Sequence, residues 1–111
     1  LVGEALEYVN VHMTEDISVQ DIADALNVSR YYLSHAFKKS TGYGLWNYVI
    51  SKRLVYSQKL LAEGASVTEA CYESGFKDYA HFIKSFTKTF GCSPKQYGKS
   101  DDSIYMVKLN L

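Results

Sequence analysis

Gly75-Phe76-Lys77-Asp78-Tyr79-Ala80-His81-Phe82-Ile83-Lys84-Ser85-Phe86-Thr87-Lys88-Thr89-Phe90-Gly91 decides the fold. It starts at a turn glycine, continues with Asp78 at a helix-capping position, and stops at a second glycine. Phe82 and Phe86 are four residues apart, so they share one face of a helix. Lys84 and Lys88 fall on other faces. The same pattern occurs earlier in the chain. Leu33-x-x-x-Phe37-x-Lys39-x-x-Gly42 becomes Phe82-x-x-x-Phe86-x-Lys88-x-x-Gly91 at an offset of 49 residues, as from Leu33 to Phe82. Upstream of the turn the offset is 48: Val19-x-x-Ile22-Ala23 becomes Val67-x-x-Ala70-Cys71, and Asn27 becomes Gly75. One unit is therefore present twice, with one extra residue in the second turn. Each unit is a short helix, a tight turn with Asn or Gly, and a second helix with a basic outer face. That is a helix-turn-helix pattern.

The remaining sequence fits around these units. Val2, Ala5, Leu6, Val9 and Met13 keep helical spacing and predict a first helix over roughly 2–13. Ser18 with Asp21, and Ser66 with Glu69, read as capping boxes. Ser29 caps the helix that shows Leu33, Ala36 and Phe37 on one face. A long amphipathic helix is expected over about 45–63, stopped by Gly64, with Val49, Leu54 and Leu61 among its apolar residues. Ser93-Pro94 opens a last short helix. The only proline is Pro94, so nothing breaks the earlier segments. The expected fold is all-α with about seven helices. Two helix-turn-helix subdomains, about 18–41 and 66–90, are joined by the 45–63 helix in a homeodomain-like duplication spanning 1–98. At ~1.5 Å per residue that helix would be roughly 28 Å long. The segment 99–111 contains the strand-like run Ile104–Leu111 and receives no role.

A 111-residue chain that is 47% hydrophobic can bury the core of one small domain. Net charge is zero, with 12 Lys+Arg against 12 Asp+Glu, but the signs are sorted. Residues 1–29 hold six acids and no base, and residues 30–59 hold six bases and no acid. Residues 60–76 hold three acids, and residues 77–99 hold five bases against Asp78 alone. A bland solvated surface would mix the signs. The sorting puts positive charge on both candidate recognition helices.

The sequence is similar to the DNA-binding domain of AraC/XylS-type transcription regulators. The resemblance rests on residues 75–97, which read as Gly-Phe, an aromatic-rich helix start, Phe82-x-x-x-Phe86, then Gly91-x-Ser93-Pro94-x-x-Tyr97. Val28 to Gly42 matches the first unit, and the likeness covers about residues 2–98. Ala70 stands where the family often has Ile or Val, and Gly98 where Arg is usual. The resemblance implies double-stranded DNA as ligand, RNA polymerase as a further partner, and an effector-sensing or dimerising domain upstream. The first residue, Leu1, fits such a missing upstream part. It carries the family's base-reading positions onto Tyr31, Ser34 and His35, and onto Tyr79, Ala80, Ile83 and Lys84. Helical geometry turns the same faces outward. His35 and Lys84 can donate to guanine acceptors, whereas Ala80 and Ile83 offer apolar contact to a thymine methyl. Arg30, Lys38, Lys39, Lys77, Lys88 and Lys95 read as phosphate clamps. His81 reads as either a phosphate contact or a partly packed ring.

Other classes fit less well. His12, His35 and His81 show no metal-ligand spacing. Cys71 replaces the apolar Ala23 of the first unit and reads as a buried thiol, while Cys92 sits in a turn and is expected to be more open. Neither forms a disulfide framework, which points to the cytoplasm. No apolar run is long enough to span a membrane. The expectation is therefore a non-enzymatic DNA binder without cofactors. A helical protein-interaction module is the alternative, and neutral net charge is its main support.

Overall fold

Residues 1–99 are described by the structure, a computed structural model. They form seven α-helices and no strand: α1 (Val2–His12), α2 (Val19–Ala25), α3 (Arg30–Thr41), α4 (Leu45–Ala62), α5 (Val67–Glu73), α6 (Tyr79–Phe90) and α7 (Pro94–Lys99). The expected run Ile104–Leu111 lies outside the described residues. The chain divides into two compact units, with the boundary inside α4 between Lys52 and Arg53.

Local chemistry fixes the helix starts. The Ser18 hydroxyl accepts from the Asp21 N–H at 3.1 Å, and the Asp21 carboxylate accepts from the Ser18 N–H at 2.9 Å. Ser66 and Glu69 repeat this box at 3.1 and 2.9 Å. Ser93 and Gln96 form a third, at 3.2 and 2.9 Å, ahead of Pro94. Each box satisfies a backbone N–H that the first helical turn leaves without a partner. Ser29 and Asp78 cap α3 and α6 by accepting from Tyr32 and His81.

The duplication is visible in the turns. Val28 N–H donates to the Ala23 carbonyl at 3.1 Å, and Phe76 N–H donates to the Cys71 carbonyl at 3.1 Å. Asn27 and Gly75 occupy the left-handed position at φ 57 and 106. Val28 is followed directly by the cap Ser29, whereas Lys77 separates Phe76 from the cap Asp78. The extra residue of the second turn is therefore Lys77.

The first unit buries Ala5, Val9, Ile22, Ala23, Leu33, Phe37, Leu45 and Val49. Tyr48 adds a tilted ring contact to Phe37 at 5.7 Å. The second unit buries Leu54, Leu61, Cys71, Phe76, Phe82, Phe86 and Tyr97. Its aromatic rings form a chain: Phe76 to Phe82 at 5.1 Å, Phe82 to Phe86 at 5.8 Å, and Phe86 to both Phe90 and Tyr97 at 4.7 and 5.9 Å.

Three sequence expectations change. Cys92 is buried rather than open. Ala36 is half-buried, because it lies at the margin of its helix's inward face. Arg53, counted in the basic block 30–59, is only 5% exposed and belongs to the interior of the second unit. Its position on α4 places it beside Leu54 and one turn before Ser57, both buried.

Candidate nucleic-acid interface

The candidate surface is the outer face of the second helix in each unit. Within α3, Leu33 and Phe37 are fully buried, so the residues around them turn to solvent. Arg30, Tyr31, His35, Lys38 and Lys39 are exposed, and Ser34 is half-buried. The Tyr31 ring lies over the His35 ring, with centroids 4.4 Å apart and planes tilted by 46°. This is an i, i+4 pair on one helical face, and it restricts the rotamers His35 can adopt. Ser34, His35, Lys38 and Lys39 line one shallow depression. Helix α3 carries no Asp or Glu.

Helix α6 repeats the arrangement around buried Phe82 and Phe86. Tyr79, Ala80, Lys84 and Lys88 are exposed, and Ile83 is half-buried. A second shallow depression is lined by Tyr79, Ala80, Ile83, Lys84, Thr87 and Lys88. Its last four residues are those of the first depression shifted by 49 positions. The two surfaces thus occupy equivalent positions on their helices. The chemistry differs: Ser34 becomes Ile83, His35 becomes Lys84, and Lys38 becomes Thr87. Helix α6 also has no Asp or Glu, and the nearest acid, Asp78, accepts from the His81 N–H at 3.0 Å.

The remaining candidates sit around these faces. Lys77 and Lys95 are exposed. His81 is exposed, yet its ring meets the Phe76 ring edge-on at 5.8 Å, so the packed-ring arrangement is present while the ring remains open to solvent. Tyr32, at 58% exposure, is an aromatic on α3 that sequence reasoning did not single out. Its signal was its place directly before the inward Leu33, about 100° around the helix. Among the described residues there is no group of three or more His, Cys, Asp or Glu able to hold a metal, and no helix is long and apolar enough to cross a membrane.

A family of helix-turn-helix domains matches residues 22–100. A solved structure of a probable AraC family transcriptional regulator from Rhodopseudomonas palustris superposes with a TM-score of 0.75 at 27% identity, covering 84% of this chain and 89% of that one. The chain belongs to the AraC-type helix-turn-helix family. That family consists of DNA-binding transcription regulators rather than enzymes. The regulatory protein PocR of Salmonella typhimurium is 32% identical over 95 residues, which is 85% of this chain and 31% of PocR. The Msm operon regulatory protein of Streptococcus mutans is 34% identical over 99 residues, 88% of this chain and 36% of that regulator. The chain spans about a third of the length of these two regulatory proteins.

Proposed function

We propose that this chain binds double-stranded DNA sequence-specifically, as the DNA-binding part of an AraC-type regulator, with α3 and α6 entering two successive major-groove segments of one bipartite site. The observation that carries this reading is the pair of equivalent outer faces, each basic, free of acids and built on a helix whose inner face is locked by two buried apolar side chains. A rigid helix presenting donors without acids suits a major groove flanked by phosphates. Tyr31, Ser34 and His35 read bases from α3, and Tyr79, Ala80, Ile83 and Lys84 read them from α6. Arg30, Lys38, Lys39, Lys77, His81, Lys88 and Lys95 contact phosphates and fix register. Because the two faces differ at three of four equivalent positions, the site is asymmetric rather than palindromic. The domain comprises 1–98, acts in the cytoplasm with RNA polymerase as a further partner, and works under an effector-binding or dimerisation domain in the full protein.

Selection of bound sequences from a random duplex pool tests this, followed by affinity at two salt concentrations. The expected result is one enriched asymmetric site, with affinity falling steeply as salt rises through counterion release. Absence of duplex binding at low salt contradicts it and favours a protein-interaction module.

A further inference from the structure

The surface of α6 is built differently from that of α3. Tyr79, Ala80 and Ile83 supply ring, methyl and branched alkyl groups to the depression on its outer face. Thr87 would add a hydroxyl, but its Oγ1 donates to the Ile83 carbonyl at 2.8 Å. That bond engages the hydroxyl within the helix and leaves the threonine methyl as the group able to line the surface. The charged members are Lys84 and Lys88, whose aliphatic stems can line the depression while their ammonium groups remain available to phosphates. The equivalent depression on α3 offers Ser34, His35, Lys38 and Lys39.

An apolar floor bordered by two cations, on a helix without acids, suits an apolar group held among phosphates. In the major groove the only such group on a base is the C5-methyl of a pyrimidine. We propose that the second unit, beside the donor Lys84, discriminates at pyrimidine positions by the C5-methyl group, seated against Ala80 and Ile83, a contact the α3 face with Ser34 and His35 does not offer. This rests on the DNA-binding reading above. Methyl contact is indifferent to the Watson–Crick edge of the ring that carries it. The α6 half of the site therefore favours thymine over uracil, and 5-methylcytosine over cytosine, at the same position.

The test uses the 111-residue chain and its selected duplex. Each pyrimidine position of the half-site assigned to α6 is filled in turn with thymine, uracil, cytosine or 5-methylcytosine, and affinity is measured for each. At one position or more, each methylated base should bind about fourfold better than its unmethylated counterpart, the value of one buried methyl-sized group. Ile83→Ala should reduce that ratio, with circular dichroism confirming a folded chain. Lys84→Ala should weaken binding while preserving the ratio. Should Ile83→Ala unfold the chain, Ala80→Gly carries the same comparison. Tight binding with equal affinities for thymine and uracil at every position overturns the methyl assignment and leaves the DNA-binding reading intact. A ratio that survives in both Ile83→Ala and Ala80→Gly also overturns it. No binding to any duplex overturns both.

Discussion

The Phe76 N–H donates to the Cys71 carbonyl across the second turn at 3.1 Å, with Gly75 held at φ 106 between them. The same bond in the first turn, Val28 to Ala23, is made with Asn27 at φ 57. Asn tolerates the left-handed region; a side chain at φ 106 is strained. We expect Gly75→Ala to cost roughly 1–2 kcal/mol and Asn27→Gly to be close to neutral. Urea denaturation of both variants decides this, and an unchanged midpoint for Gly75→Ala would contradict it.

Phe86 sits at the branch of the aromatic chain, touching Phe82, Phe90 and Tyr97 while fully buried. Its removal opens a cavity among these rings. Phe86→Ala should destabilise by about 3–5 kcal/mol, and Phe86→Leu by clearly less. Equal losses in chemical denaturation would mean that the ring contacts are not what holds the second unit together.

The capping box at α5 makes a pH prediction. The Glu69 carboxyl is held below its ordinary value of 4.5, first by the hydrogen bond from the Ser66 N–H and then by the bond involving the Ser66 side chain. A depressed carboxylate contributes stability that is present above the unfolded pKa and lost as pH falls through the folded one. Wild type and Glu69→Gln should therefore differ in thermal midpoint near neutrality and converge below pH 4.5. A constant difference across that range would show that the charge plays no part.

Both thiols are buried. Burial pushes the Cys71 thiol up, with the nearby Asp78 charge adding to the effect, so its thiolate is scarce at neutral pH. Alkylation of Cys71 and Cys92 should be slow in the folded chain and fast in denaturant, followed by mass spectrometry. Rapid modification of Cys71 under native conditions would contradict this packing.

The elements were legible because their signals are local. Ser18, Ser66, Asn27 and Gly75 each act on the backbone within a few residues, and Leu33, Phe37, Phe82 and Phe86 show the inward faces by spacing alone. The outward positions followed from the inward ones. Burial that depends on packing between helices was not legible. Arg53 and Gln58 look like solvated residues of an amphipathic helix, yet they are 5% and 3% exposed. Trp46 carries a large apolar surface that predicts packing, but it lies one residue after the buried Leu45 and faces partly outward. Cys92 follows a turn glycine, a place that suggests exposure, yet it is 6% exposed in the unit where α7 packs against α5 and α6.

In the proposed binding mode α3 and α6 read two separate segments of one duplex site. Hydroxyl-radical footprinting of the wild type beside His35→Ala, Lys84→Ala and Lys39→Ala tests it most directly. Two protected segments about one helical turn apart are expected. His35→Ala and Lys84→Ala should each cost on the order of 1–3 kcal/mol and lose protection in different segments. Lys39→Ala should weaken all sequences alike and reduce the salt slope by about 0.9. A footprint confined to one segment, or loss at the same base pairs in the His35 and Lys84 variants, would contradict the account.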